Sequence, residues 1–230
     1  MSDTLGLDLT ERLPHESASK YALRILYQNI ISLRLKPGQP LKEAELTALL
    51  HISRTPIREA LVQLSNAYLV EIIPQRETRV ALIDPSIIEE ARALRLLVEP
   101  LMAEKACSMA TPWHILKLKE SMLRQQFYLE QSDTAQLLKE DNTFHRFIYE
   151  ICGAKRTYEA INSISGQYDI VRAACLYYFT AELTVRNHTD IAEAIAARDP
   201  EAAHQAAANH IMHHTEDQNR VRSSFPEYFK

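Results

Sequence analysis

The N-terminal third of the chain has hydrophobic patterns typical of short helices. From about Ser17 to Leu33, apolar residues recur every three to four positions, as on one face of an amphipathic helix. The stretch KPGQPL ends this helix, and KEAELTALL predicts a second, shorter one. After the turn HIS, the pattern predicts a third helix from Arg54 to Ala67.

The hydrophobic period then changes to that of β-strands. YLVEIIPQRETRVALI predicts two short strands, Val70–Ile73 and Arg79–Leu82, joined by a turn at Pro74–Thr78. Three helices and a β-hairpin form a winged helix-turn-helix, which we place at residues 15–83. The short polar segment 1–14 before it is predicted to be flexible.

Residues 84–230 show helical periodicity and no convincing strand pattern. We predict an all-α bundle of six to seven helices, so the fold class is mainly α. Thr111-Pro112 and Asp199-Pro200 are strong signals for helix starts. The stretch 155–180 is interpreted as one continuous helix.

Composition narrows the class of protein. The three cysteines of the 230-residue chain have no paired spacing, which argues against a disulfide framework and a thiolate zinc site. We find neither an apolar run of membrane length nor a signal peptide, so we expect a cytoplasmic protein without a membrane partner.

The charge distribution weakly favours DNA as a partner of the N-terminal unit. The net charge of the chain is −4. Residues 15–83, however, carry nine Lys and Arg against six Asp and Glu, whereas residues 84–230 carry 16 against 21. The N-terminal unit is therefore mildly basic and the remainder acidic.

The third predicted helix begins with cations. Ser53 can serve as its N-cap, but Arg54 and Arg58 follow, where the helix dipole favours anions. This arrangement indicates an anion from outside the chain. The alternative is a solvated basic turn.

The stretch PGQPLKEAELTALLHISRTPIREALVQLSNAYLVEIIPQRETRV resembles the DNA-binding domain of GntR-type transcription regulators. This resemblance implies that the missing anion is a DNA phosphate and that the third helix enters the major groove. It implies that Arg54 and Arg58 reach the backbone or a guanine edge, while Ser53 and Thr55 hold phosphate oxygens. The implied partner is double-stranded DNA.

The sequence departs from the family pattern where glycine is usual. His51, Tyr68 and Glu77 stand at these positions. Glu77 lies at the predicted wing tip, where it should repel phosphate, and Arg76 and Arg79 can compensate. The complete predicted DNA-binding set is Ser53, Arg54, Thr55, Pro56, Arg58, Arg76 and Arg79.

Polar residues interrupt the apolar faces of the C-terminal helices. Asp141 and His145 lie one turn apart on one face, and His188 and His210 fall on the inward faces of two later helices. Burying any one of these groups without a hydrogen-bond partner costs about 1–3 kcal/mol or more. A divalent metal would satisfy all four, and a thiol-free donor set suits Zn, Ni, Mn or Fe. A buried histidine bonded to a carbonyl is the alternative for any one of them.

The C-terminal unit also resembles the FCD ligand-binding domain of the FadR branch of GntR regulators. Arg95 with Glu99, the segment Asp141–His145, His188 and His210 carry the resemblance. It implies one divalent metal ion per chain, held by Asp141, His145, His188 and His210, with zinc expected in purified protein. His214, one turn after His210, is an alternative ligand.

Four protein ligands leave two positions of an octahedral ion for a small carboxylate effector. Arg95 and Arg172 lie on apolar stripes, and an inward arginine is a natural carboxylate clamp. The alternative for both is a salt-bridged or snorkelling arginine.

Together these features predict a ligand-responsive regulator, a repressor by preference, that acts as a homodimer on a pseudo-palindromic operator. One alternative is a metal-dependent hydrolase fused to a DNA-binding module, since such a cage could activate water. Against it, the sequence has no HExxH motif and no obvious general base. A regulator with a purely structural metal is the other alternative.

Overall fold

A computed structural model describes residues 6–230, except for the side chains of His214, Thr215 and Asp217. The described helices and strands follow the predicted order, with a winged helix-turn-helix before a helical bundle. They are α1 (Ala18–Ile31), α2 (Glu43–Leu50), α3 (Arg54–Asn66), β1 (Val70–Ile73), β2 (Glu77–Val80), α4 (Pro85–Met109), α5 (Pro112–Glu130), α6 (Thr134–Ile151), α7 (Lys155–Ile164), α8 (Gly166–Tyr178), α9 (Ala181–Ala197), α10 (Pro200–Ser224) and a final 3-10 turn (Pro226–Tyr228).

The first three helices pack as their apolar stripes predict. In α1, Ser17 accepts a hydrogen bond from the Lys20 amide and so caps the first turn. In α3, Ile57, Leu61 and Leu64 are buried, while the opposite face is exposed. The three helices of the predicted winged helix-turn-helix are thereby confirmed, and one face of α3 is exposed.

The first strand of the wing has its predicted bounds, Val70–Ile73, but the second is displaced by two residues. The second strand was expected to begin at Arg79, but it begins at Glu77, which pairs with Ile73. The turn contains only three residues, and its middle residue, Gln75, has a φ of 59°. A short turn of this kind closes the hairpin tightly, so the second strand begins nearer to it than the polar residues suggested.

The stretch 155–180 was predicted as one helix, and the structure breaks it at Ser165 into α7 and α8. At the start of α8, a Cβ added to Gly166 would lie 2.9 Å from Leu69 Cγ. This glycine therefore lets α8 approach the segment before the wing closely. The local periodicity contains no information on this tertiary contact or on the break beside it.

The N-terminal segment is anchored over the part that the structure describes. Residues 6–14 form no helix or strand apart from a turn at their end, but Leu7 is buried. The Asp8 amide donates to Asn29 Oδ1 at 2.7 Å, and Asn29 Nδ2 donates to the Asp8 carbonyl at 3.0 Å. Residues 7 and 8 are thus held against α1, whereas the flexibility of segment 1–14 stays a prediction and residues 1–5 lie outside the described residues.

The two units meet in one continuous hydrophobic core. A cluster that starts in α1 and α3 continues through buried residues of α8. The predicted boundary after Ile83 is itself bridged, because the Ile83 amide donates to the Tyr228 carbonyl and its carbonyl accepts from the Lys230 amide. The DNA-binding unit is thus packed against its neighbour.

The bundle contains a second apolar cluster, built mainly from α4, α6, α9 and α10. Asp199 caps α10 by accepting from the Ala202 amide, as its sequence signal predicts. None of the described helices is both long and apolar enough to span a membrane.

Candidate DNA-binding surface and metal centre

The start of α3 presents hydrogen-bond donors to its surroundings. Ser53 occupies the N-cap position, but its hydroxyl makes no capping hydrogen bond. Arg54 and Thr55 are exposed, Pro56 is half-buried, and the first turn contains no acidic residue. These groups can therefore reach a phosphate without first giving up an internal partner.

Arg58, the second cation of this helix, has an internal partner. Its Nε lies 2.9 Å from both carboxylate oxygens of Glu43 on α2. The pair is exposed, so water screens it and Arg58 can exchange Glu43 for phosphate at small cost. The residue lies on the predicted surface, but in the absence of DNA it links α2 and α3.

The wing carries fewer unpaired cations than the sequence suggested. Arg79 is half-buried and donates to Glu71 Oε2 across the hairpin at 2.8 Å and to Glu77 at 3.4 Å. Arg76 is exposed in the turn. The negative charge of Glu77 is compensated inside the wing by Arg79, and Arg76 stays a predicted DNA-binding residue.

Three histidines from three helices converge in the bundle. His145 of α6, His188 of α9 and His210 of α10 are all buried, and each offers one ligand atom within 4.8 Å of the others. The structure thus brings together three of the four predicted metal ligands. His214, the alternative to His210, has its side chain outside the described residues.

Two of these rings are held from outside the cluster through Nδ1. His145 Nδ1 lies 3.0 Å from Glu99 Oε2, and His188 Nδ1 lies 2.8 Å from Gln125 Oε1. His145 Nε2 is buried and has no hydrogen-bond partner among the described residues. Metal-binding histidines are typically held in this way, with Nδ1 bonded to a carboxylate or amide and Nε2 kept for the ion. The donor set fits a divalent metal.

Asp141 lies next to the histidine cluster, beside His188, and is not part of the group formed by the three rings. Its Oδ1 lies 3.6 Å from His188 Nε2, while its Oδ2 lies 3.2 Å from Arg172 Nη1. Burial alone would raise the pKa of this carboxyl, but the neighbouring charges, of which the Arg172 guanidinium is the largest contributor, together hold the pKa below its ordinary value. Asp141 is therefore ionised, as a ligand must be.

Arg95 and Arg172 lie beside this cluster, as predicted, and both are buried. Arg95 donates to Glu99 at 2.6 Å, so it also contacts the carboxylate that holds His145. Arg172 contacts Asp141 and donates to Asn142. In the structure both arginines are in the salt-bridged state that we considered as an alternative.

Sequence reasoning missed two residues of the site. Gln125 is fully buried on α5 and orients His188. Asp169 is buried on α8, within 3.3 Å of Arg172 Nη2 and 3.7 Å of Arg95 Nη1. A spacing of three residues between Asp169 and Arg172 could have indicated a shared helix face.

Comparison with known families covers both units of the chain. Residues 19–80 match the family of bacterial regulatory proteins named gntR, and residues 90–213 match the FCD domain. The HTH-type transcriptional repressor RspR of Escherichia coli (strain K12) is 26% identical over 221 residues, which are 96% of this chain and 97% of that protein. The HTH-type transcriptional repressor NanR of Cronobacter sakazakii is 29% identical over 91% of this chain and 89% of its own length.

Solved structures show the same fold. Escherichia coli McbR/YncC superposes with a TM-score of 0.76 at 21% identity, over 93% of this chain and 99% of that one. A putative GntR regulator from Rhodococcus sp. RHA1 gives the same TM-score and identity over 89% of this chain and 99% of that one. With its winged helix-turn-helix and its FCD domain, the chain belongs to the GntR family of DNA-binding transcriptional regulators.

Proposed function

We propose that this regulator is a repressor whose FCD domain binds one divalent metal ion and, through it, a small organic acid that releases the operator. The observation that carries the proposal is the buried trio His145, His188 and His210, with Nδ1 of two rings held from outside. Asp141 would complete the ligand set from beside His188. The imidazole and carboxylate donors suit Zn, Ni, Mn or Fe.

The proposed role of the metal is to attract the effector. When bound, the ion supplies Lewis-acid positions for a carboxylate. In the chain itself, the guanidinium groups of Arg95 and Arg172 face the carboxylates of Glu99, Asp141 and Asp169. This buried group has one excess negative charge with neutral histidines, and a divalent cation would reverse its sign. An anionic effector should therefore bind after the metal, with the arginines as its clamp.

Repression is proposed from the relatives. RspR and NanR are named repressors, as is a probable D-xylose utilization operon repressor of Paenarthrobacter nicotinovorans that is 24% identical. These relatives are regulators, which favours a sensor over the hydrolase that the metal cage alone would permit.

The proposed assembly is a homodimer formed through the outer face of α5. Four large apolar side chains there are exposed at heptad spacing, opposite the buried face with Leu118: Trp113, Leu116, Leu123 and Phe127. A 3.5-residue repeat of this kind is the seam of paired helices. A second copy of the chain supplies the same stripe, and two-fold symmetry would match a pseudo-palindromic operator.

The metal is tested by elemental analysis and thermal unfolding of the full chain purified without chelator. We expect about one equivalent of a transition metal per chain, and a lower Tm after chelation because binding stabilises the folded state. His145→Ala should lose the metal and the response to chelator. His204→Ala is the matched control, because His204 is exposed and pairs with Glu104.

Operator release is tested with DNA selected from a random library and a panel of small carboxylic acids. At least one acid should weaken operator binding by the metal-loaded protein and should have no effect on His145→Ala. Less than about 0.1 equivalent of metal, without uptake on addition, would contradict the metal centre. A metal-loaded protein that responds to no acid would favour the purely structural metal.

A further inference from the structure

The carboxylate of Asp169 is shared between the two units of the chain. Its Oδ2 accepts a hydrogen bond of 3.0 Å from Tyr27 Oη on α1 of the DNA-binding unit. Its Oδ1 lies 3.3 Å from Arg172 Nη2 and 3.7 Å from Arg95 Nη1. One buried side chain therefore contacts the DNA-binding unit and both arginines proposed to clamp the effector.

Tyr27 is a donor to this carboxylate at every physiological pH. Burial, followed by the charge of Asp169, holds the pKa of Tyr27 well above its ordinary value, so the hydroxyl keeps its proton. A hydrogen bond to an ionised group is stronger than one between neutral groups. Because Tyr27 and Asp169 lie on α1 and α8, this bond joins the helices across the junction of the units.

The same end of α8 holds the segment around the wing. Gln167 donates to the carbonyls of Tyr68 and Leu82, and it accepts from the amide of Asp84. A movement of α8 would therefore act on the DNA-binding unit at two places, α1 and the segment around the wing.

The junction also has room for a rearrangement. A cavity of about 260 Å³ lies between α1 and α6, with Tyr27 and Asn142 in its lining. Asn142 accepts a hydrogen bond from Arg172, so the cavity adjoins both the arginine cluster and the tyrosine. Tyr27 can leave Asp169 without having to displace a packed core.

We propose that Asp169 is the positioning residue that transmits effector binding to the DNA-binding unit. An effector carboxylate on Arg95 and Arg172 competes with Asp169 for the same N–H groups and brings a like charge near it. Asp169 then changes position, its bond to Tyr27 is lost, and α1 is released from α8. This inference rests on the proposed function, since it assigns the regulation of the same pocket.

The first test needs no effector. The Kd for a library-selected operator is measured for wild type, Tyr27→Phe, Asp169→Asn and the double variant. We expect each single change to weaken binding about three- to tenfold, the scale of one hydrogen bond, and the double variant to bind no more weakly than the weaker single. Unchanged single variants, or effects that multiply, would overturn the proposal.

The second test adds Zn²⁺ and then acetate or lactate as probes. In wild type, a probe that binds should raise the operator Kd, and in Tyr27→Phe this ratio should fall toward one while zinc uptake stays unchanged. Tyr21→Phe is the matched control, because Tyr21 lies on the same helix outside this contact, and it should keep the wild-type ratio.

The two tests separate the inference from the function on which it rests. If wild type takes up no zinc or responds to no probe, the proposed function fails. The operator Kd values of the four proteins in the first test then decide by themselves whether Tyr27 and Asp169 are coupled. If wild type responds and Tyr27→Phe responds equally, the proposed function stands and the role of Asp169 is refuted.

Discussion

His51 and Tyr68 adopt left-handed backbone conformations, with φ of 53° and 57°. These are two of the positions where the resemblance of the sequence to the family pattern led us to expect glycine. A non-glycine residue in this region has a strained backbone, since its Cβ approaches the carbonyl oxygen. Strain is thus present at the end of α2 and directly before the wing.

Replacing His51 by glycine should relieve part of this strain. We expect His51→Gly to raise the free energy of unfolding by about 0.5–1 kcal/mol, because the gain in the folded state exceeds the added entropy of the unfolded chain. Urea titration measures the change. Ala48→Gly, in the middle of α2, is the control and should destabilise by about 1 kcal/mol. If both variants lost the same free energy of unfolding, the backbone of His51 would not be strained.

The two arginines of α3 should contribute unequally to operator binding. Arg54→Ala should weaken it by about 1–3 kcal/mol, whereas Arg58→Ala should cost less because Arg58 must leave Glu43 to reach DNA. Gel-shift titration measures both, and the Tm should hardly change because both residues are exposed. Arg146→Ala, on the exposed face of α6, is the control. Wild-type binding by both α3 variants would contradict the placement of this helix.

At the scale of single residues, inward or outward position was predictable and partners were not. The stripes placed His145, His188 and Arg172 inside the bundle because helical period fixes the face of each side chain. The pairing of Arg58 with Glu43 and of Arg79 with Glu71 depends on how separate elements lie together. No local pattern contains that information.

Among the elements, α8 begins at a residue where the sequence predicted no helix start. At this residue, Gly166, the Leu69 side chain occupies the space that a Cβ would need. Helix propensity alone would have continued α7 into α8, as the sequence led us to expect. Caps fixed the starts of α5 and α10 correctly because Thr111 and Asp199 act within their own helices.

The contact between Gly166 and Leu69 predicts that the effect of Gly166→Ala on stability depends on the residue at position 69. Gly166→Ala should destabilise the wild-type chain by about 1–3 kcal/mol through overpacking against Leu69. In a Leu69→Ala background the same change should cost clearly less, because the contact with the Leu69 side chain is gone and alanine favours the helix, and only the Ala67 carbonyl oxygen at 3.1 Å still crowds the added Cβ. Urea titration of the four proteins measures the coupling. The same cost in both backgrounds would show that Leu69 does not restrict the side chain at position 166.

At the scale of the whole molecule, the exposed stripe of α5 should control assembly. Leu123→Glu places a charge in the centre of the stripe, so we expect light scattering to change from twice the chain mass toward the 26.3 kDa of one chain. Val62→Glu on α3 is the control, because Val62 is exposed but distant from the stripe. A wild-type protein that is monomeric at micromolar concentration would contradict the proposed homodimer.

The order of the two units was predictable, whereas their junction was not. Helical and strand periods gave the winged helix-turn-helix and the bundle, since each pattern repeats within one element. Gln167, Asp169 and the bridge of Ile83 to the C-terminal residues join segments that are distant in the chain. Their pairing depends on three-dimensional packing.

The fit of Gly166 against Leu69 has a consequence for building chimaeric regulators. A hybrid that fused this DNA-reading unit at Asp84 to the sensor of another regulator would set a foreign helix against Leu69. Any side chain at the position of Gly166 would collide with Leu69 and push the foreign sensor away from the DNA-reading unit, although neither unit had been mutated. The transplantable module is therefore discontinuous, and it consists of the N-terminal unit together with the first turn of α8.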